Sequence, residues 1–210
     1  MSSDLDPRRR NELFDLASPA SYLVSYAERL RQAALAVDGD ALARACSLIE
    51  QAAVSGNRIF AAGNGGSAAI ADHLCCDWTK GTHVHGMPTI DTTSLSANVA
   101  LYTAVANDFG FEKVFATQLA MVARPGDVLI AISSSGNSEN ILQAVAEARS
   151  NGLATVGLSG FSGGRLKDSV DVSLHVDVAN YGVVEDVHQM IMHVIAQFIA
   201  GHRDLKSAGQ

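Results

Sequence analysis

Two pairs of side chains, far apart in the chain, have residue types and spacings that could do chemistry. His73 and Asp77 are four residues apart in an alanine-rich run, so they share a face if that run is helical. Glu185 and His193 are eight apart in a second run with helical apolar spacing. Eight helical residues add about 80° to two full turns, so these two can also converge on one site. Two imidazoles and two carboxylates form a donor set that suits a divalent metal such as Zn²⁺, and they equally suit general acid–base chemistry. Spacing alone also allows a plainer reading, with structural histidines in the core and Asp77 solvated beside Trp78. His188 lies about 140° around an ideal helix from His193, so the two need not face one centre. His83 and His85 flank Val84 in a stretch with Gly86 and Pro88, and they read as rim or solvent-facing residues.

Two small-residue turns could bind an anion. The first, GNGGSAA at Gly63–Ala69, falls where a strand ends and a helix begins. Gly65 and Gly66 allow the backbone to turn tightly and approach a ligand. The helix start behind them presents unpaired N–H groups and a positive dipole end. Ser67 adds a hydroxyl. No lysine follows the glycines and the pattern is not GxGxxG, so a nucleoside triphosphate is not the expected ligand. The second turn, ISSSGNS at Ile132–Ser138, repeats the logic with Ser133, Ser134, Ser135 and Ser138 around Gly136 and Asn137. Hydroxyls donate without adding charge, which suits a phosphate also held by backbone N–H groups. A plain capped loop explains either turn alone. Two such turns at the C-terminal ends of parallel strands favour a binding site.

The elements that must position these residues alternate along the chain. Apolar periodicity predicts a helix from Leu13 to Leu35 and a second from Asp40 to Ser55, capped by Asp38 or Asp40 and stopped by Gly56. NRIFAAG reads as a buried strand, followed by a helix through DHLCCDWTKG. PTIDTTS reads as a strand, SANVALYTAVAND as a helix capped by Ser96, and FEKVFATQLAMVA as another helix. A strand, the serine turn and a helix then run from Asp127 to Gly152, with Ser138 as cap. LATVGLSG and VDVSLHVDV read as strands and Tyr181 to Ala200 as the last helix. Strands separated by helices imply a parallel sheet covered on both faces, here a single domain over 13–205 behind a polar tail over 1–12.

Composition narrows the function classes. The 210-residue chain is 48% hydrophobic and 18% charged, which places it with globular proteins rather than disordered ones. Its net charge is −7 and its longest basic run is Arg8–Arg10, so no nucleic-acid groove is expected. There is no secretory pattern at the start and no apolar run long enough to span a membrane. The three cysteines include the adjacent pair Cys75 and Cys76, which fits neither a disulfide framework nor a metal knuckle. The expectation is a reduced, cytoplasmic protein.

GNGGSAA, ISSSGNS, ANDFGF at Ala106–Phe111 and the late EDVHQMIMH at Glu185–His193 together resemble the SIS (sugar isomerase) family. The resemblance covers nearly the whole chain and is strongest to the sedoheptulose 7-phosphate (phosphoheptose) isomerases. It implies a flavodoxin-like three-layer αβα sandwich with an N-terminal helical extension. It also implies a homotetramer whose active sites are lined by more than one subunit, and a sugar-phosphate substrate. By the same resemblance, Asn64, Gly65, Gly66 and Ser67 belong to the substrate-binding turn, and Ser133, Ser134, Ser135 and Ser138 grip the phosphate. Asn107 and Asp108 match a substrate-contacting pair. One Zn²⁺ per subunit would be held by His73, Asp77, Glu185 and His193. Asp77 would act as base and His193 as acid in aldose–ketose isomerisation, with Glu185 also facing substrate.

Two of these positions depart from the family pattern. Asp77 stands where the family has Glu, and Glu185 where it has Gln. The shorter Asp77 shifts a reacting carboxylate, and a displacement of about 1 Å can cost on the order of a hundredfold in rate. Glu185 adds a negative charge that would favour a cation. The alternative within the same family is a non-catalytic sugar-phosphate-binding module of the kind that associates with the replication initiator. The presence of Asp77 and His193 favours the enzyme. Arg165 and Lys167, in a Gly-rich loop, read as a solvated turn rather than a phosphate site.

Overall fold

A computed structural model describes residues 14–208; the expected tail over 1–12 lies outside the described residues. Two N-terminal helices come first. Helix α1 (Pro19–Leu35) starts where Ser18 and Ser21 cap each other's backbone and Pro19 presets the first turn, so the helix expected from Leu13 begins six residues later. Helix α2 (Gly39–Ser55) starts at Asp38, whose carboxylate accepts from the Asp40 and Ala41 N–H groups. It ends at Gly56, in the left-handed region that glycine tolerates best.

Five strands follow: β1 (Arg58–Ala62), β2 (Asp91–Ser94), β3 (Val128–Ser133), β4 (Ala154–Gly160) and β5 (Val172–Val176). All neighbouring pairs are parallel and the order is β2-β1-β3-β4-β5. The chain moves outward from β1 to β2, then returns to the other side of β1 for β3. That reversal opens a crevice between the C-terminal ends of β1 and β3, the place where open parallel sheets bind ligands. The glycine turn follows β1 and the serine turn follows β3, so both anion turns flank this crevice.

Helices cover the two faces, giving the three-layer αβα arrangement. They are α3 (Gly66–Cys76), α4 (Val99–Phe109), α5 (Ala116–Val122), α6 (Glu139–Ser150) and α7 (Tyr181–Ala208). Side chains alternate along a strand, so Ile59 and Ala61 of β1 enter one core and Phe60 and Ala62 the other. The first core packs α1, α2, α3 and α7 against the sheet. The second packs α5 and α6. Helix α4 starts at Val99 because Asn98, not Ser96, caps it; the Ser96 hydroxyl instead donates to the Gly63 carbonyl. The helix expected from Phe111 is divided into a 3₁₀ turn, Phe111–Lys113, and α5. Among the described residues no helix is long and apolar enough to cross a membrane.

Polar contacts set the register of α7. Tyr26 of α1 donates to Asp186 at 2.5 Å. His188, fully buried, donates from Nε2 to the Ser159 carbonyl of β4 at 3.2 Å. Trp78 donates from its indole N–H to the Met192 carbonyl at 3.1 Å. Arg203, only 3% exposed, forms a fork to Glu50 of α2 at 2.8 and 3.1 Å and donates to the Thr82 and Pro88 carbonyls. This anchor explains why α7 continues past Ala200 to Ala208.

Arg203→Ala leaves Glu50 and two carbonyls without their donor, and it should lower unfolding stability by about 3 kcal/mol in urea titration. The His188 imidazole is held neutral: burial pushes its pKa down to about 4 from 6.5. The unfolded chain therefore binds a proton that the folded chain refuses between those values. The contribution is intact above pH 6.5 and is lost progressively as pH falls towards 4. The stability difference between wild type and His188→Gln should shrink over that window, as read by denaturation at each pH.

Candidate active site

The two turns are joined by a pair of carboxamides. Asn64 and Asn140 exchange reciprocal hydrogen bonds of 2.9 Å, which tie the turn after β1 to the first turn of α6. Asn140 is 2% exposed, so this pair is part of the frame. Gly136 sits at φ +65, and a Cβ there would collide with the Gly163 carbonyl. A side chain is therefore excluded where the serine turn presses on the loop after β4.

Between the turns lies a cavity of about 180 Å³ lined by Asn64, Ser67, Ile132, Ser133, Ser134, Ser135, Ser138, Tyr181 and Glu185. No lysine or arginine lines it, so any attraction for an anion comes from hydroxyls and helix starts. Neither α3 nor α6 has a side-chain cap. The Ser67 and Ala68 N–H groups already donate to the Asn64 and Gly65 carbonyls and the Ile141 N–H to that of Ser138, so the two helix starts act chiefly through their partial positive charge. Ser138 holds the N-cap position of α6, but its hydroxyl accepts from Ser133 at 3.1 Å instead of capping. The Ser134 hydroxyl is buried without a partner. The hydroxyl-rich wall is chemically suited to a phosphate-sized group.

Glu185 closes one side. A Cβ on Gly66 would come within 2.5 Å of its Oε2, so the carboxylate packs directly on the helix start. Burial, and then the charge of Asp186, raise the Glu185 pKa.

Next to this cavity, α3 and α7 bring His73, Asp77 and His193 together, with one ligating atom from each within 4.8 Å of the others. Asp77 offers Oδ1 to His73 Nε2 and Oδ2 to His193 Nε2, both at 3.4 Å. The imidazoles stand edge-on, with centroids 5.1 Å apart. Asp77 opens a π turn, Asp77–Gly81, at the end of α3. The wider turn brings Trp78 into the core, where its bond to Met192 fixes Asp77 opposite His193. Two imidazoles and a carboxylate in this arrangement fit a divalent cation such as Zn²⁺.

The fourth residue expected in this group, Glu185, is not in it. The angular argument from spacing neglected translation, since eight helical residues also advance about 12 Å along the axis. Glu185 therefore reaches the serine cavity, while His193 reaches His73. The position one turn before His193 belongs to Gln189, which sequence reasoning missed. Its Nε2 lies 2.9 Å from His73 Nδ1 and 3.2 Å from His193 Nε2. The signal was present: Gln189 and His193 have the same four-residue spacing as His73 and Asp77.

The remaining sequence candidates divide between the cavity and the surface. Gly65 sits at φ +55 in the first turn and Ser67 is buried at the cavity wall. Asn107 and Asp108 are exposed on α4, bonded to each other at 2.8 Å, and do not line the cavity. His83 and His85 are exposed. Arg165 pairs with Glu139 at the surface, as a solvated turn should.

A family model for the SIS domain matches residues 21–160. The phosphoheptose isomerase of Roseiflexus sp. is 40% identical over 146 residues, covering 69% of this chain and 73% of that protein. The phosphoheptose isomerase of Mycobacterium tuberculosis is 40% identical over 145 residues, covering 69% and 74%. Among solved structures, the phosphoheptose isomerase of Francisella tularensis superposes with a TM-score of 0.80 at 31% identity, covering 87% of this chain and 96% of that one. The enzyme from Neisseria gonorrhoeae gives 0.79 at 30% identity with the same coverage. With its strand order, paired anion turns and His–Asp–His group, this chain belongs to the SIS domain family, among the phosphoheptose isomerases.

Proposed function

We propose that this protein interconverts sedoheptulose 7-phosphate and D-glycero-D-manno-heptose 7-phosphate through an enediol. What supports this reading is a serine-lined cavity and a His73–Asp77–His193 group that share one stripe of α7, from Glu185 to His193. The hydroxyls of Ser67, Ser133, Ser134, Ser135 and Ser138, with the starts of α3 and α6, hold the phosphate. The sugar then extends towards His73, Asp77 and His193. Asp77 takes the proton from C1 of the ketose as the enediol forms, then returns it to C2. His193 moves a proton from the O1 hydroxyl to O2, so the reaction ends in the aldose with all atoms conserved.

His73, Asp77 and His193 would hold one Zn²⁺ per subunit, which when bound would polarise the sugar carbonyl and neighbouring hydroxyl. Apolar side chains exposed on and beside α4, among them Val99, Leu101, Phe109 and Phe111, support assembly into a homotetramer. Asn107 and Asp108 share that helix and would serve a neighbouring subunit's site. The three thiols are all free, in keeping with a cytoplasmic enzyme.

The deciding experiment is NMR of the protein with sedoheptulose 7-phosphate in D₂O. Aldose should appear carrying deuterium at C2. Asp77→Asn and His193→Ala should each lower kcat by roughly 10²–10⁴-fold. Full turnover by Asp77→Asn would remove that residue from the base role, and binding without any exchange would favour a non-catalytic module. Ser134→Ala should behave differently, with KM raised by about fivefold and kcat nearly kept, as expected for loss of one uniform hydrogen bond.

A further inference from the structure

We infer that Tyr181 is a substrate-contacting residue whose ring packs against the carbon chain of the bound sugar phosphate, and that Phe161 is the residue that positions it. The inference rests on the reading of the serine cavity as the phosphate site. It adds an aromatic wall that selects what the phosphate is attached to.

Among the described residues, Tyr181 is the one aromatic side chain in the lining of that cavity, beside Ile132 and the serine hydroxyls. Hydroxyls can hold a phosphate but offer little to the C–H bonds of the carbons next to it. An aromatic face does, through dispersion and the exclusion of water. Tyr181 is held from two sides. Its backbone opens α7, where the buried Asn180 side chain accepts from the Val183 N–H at 3.0 Å. Its half-buried ring stands against Phe161, with centroids 4.7 Å apart and planes tilted by 59°. Aromatic pairs favour tilted contacts of this kind over a face-to-face stack.

Phe161 has an unusual backbone. Its φ is +51, and among the described residues it is the one non-glycine in the left-handed region. A bulky residue rarely sits there, because its Cβ crowds the following carbonyl. Two bonds hold it in place. Its N–H donates to the Val178 carbonyl at 3.1 Å, and its carbonyl accepts from His175 Nε2 at 3.0 Å. Glycine would make this turn without strain, and the same loop uses Gly160, Gly163 and Gly164 close by. A strained backbone that keeps a large ring points to a use for that ring, and the ring it meets is Tyr181.

The loop that carries Phe161 is also tied to the serine turn. The Gly160 N–H donates to the Ser134 carbonyl at 2.8 Å, the Leu166 N–H to the Gly136 carbonyl at 2.9 Å and the Arg165 N–H to Asn137 Oδ1 at 3.1 Å. One frame therefore sets both the hydroxyls that meet the phosphate and the ring beside them.

The test measures binding to the full-length protein with two probes, by ³¹P NMR titration. One is the heptitol 7-phosphate made by reducing sedoheptulose 7-phosphate, which cannot isomerise. The other is inorganic phosphate. Wild type should bind both. Tyr181→Ala should weaken the heptitol phosphate by about tenfold and inorganic phosphate by less than about threefold. Tyr181→Phe, which keeps the ring, should recover most of the lost affinity. Phe161→Gly relaxes the backbone and removes the supporting ring. It should weaken the heptitol phosphate by about three- to fivefold, and by nothing further in the Tyr181→Ala background. Unchanged affinity of Tyr181→Ala for the heptitol phosphate would overturn the inference, as would an equal loss for both probes. Additive losses in the double variant would overturn the positioning role of Phe161. If Tyr181→Ala does not fold, Phe161→Gly decides: a loss confined to the heptitol phosphate supports the inference and no loss overturns it. If wild type binds neither probe, the reading of the cavity fails and this inference fails with it.

Discussion

The 28-residue helix α7 is held on the sheet by polar contacts that do not tolerate sliding. Apolar packing by itself would leave its axial position soft, because one aliphatic ridge resembles the next. The buried His188 bond to β4, the Trp78 bond to the Met192 carbonyl and the Arg203 fork to Glu50 each fix one point of that position. Between them, Glu185, Gln189 and His193 recur every four residues on one face. A slip of one turn in one direction would put Glu185 among the imidazoles, and a slip in the other would put Gln189 in the serine cavity. The charge of both sites therefore depends on register.

The serine cavity, the proposed phosphate cradle, has no cationic side chain in its lining. What it offers an anion is hydroxyls and the partial positive charge of two helix starts. Such a site has little pull at long range but fits a tetrahedral anion closely, which suits a chain of net charge −7. Glu185 works against it. Burial raises the pKa of this half-buried carboxylate, which lowers the cost of an anion near it.

The π turn at Asp77–Gly81 shows how a local irregularity serves the site. An ordinary helical continuation would rotate Asp77 and Trp78 differently relative to His73. The widened turn lets Asp77 touch both imidazoles while Trp78 enters the core at 2% exposure. Widened turns of this kind recur at functional sites because they re-aim one side chain without ending the helix.

Much of the architecture was legible in the sequence for local reasons. Asp38 and Gly56 bound α2 through capping and a left-handed residue, and alternating strand and helix patterns imply a covered parallel sheet. The glycine and serine turns announce anion sites because their residue types have few other uses at strand ends. His73 and Asp77 share a face by helical geometry alone. The strand order, the crevice at β1 and β3 and the axial position of α7 depend on contacts between residues distant in sequence. Helical angle alone puts Glu185 and His193 on one side; the rise of about 12 Å over eight residues was as calculable as the angle, but only packing puts Gln189 between two imidazoles. The sequence by itself determined which chemical groups are available and which helix faces carry them. The tertiary structure decided which groups meet, because their meeting depends on the register of α7 against the sheet, and buried contacts far along the chain set that register.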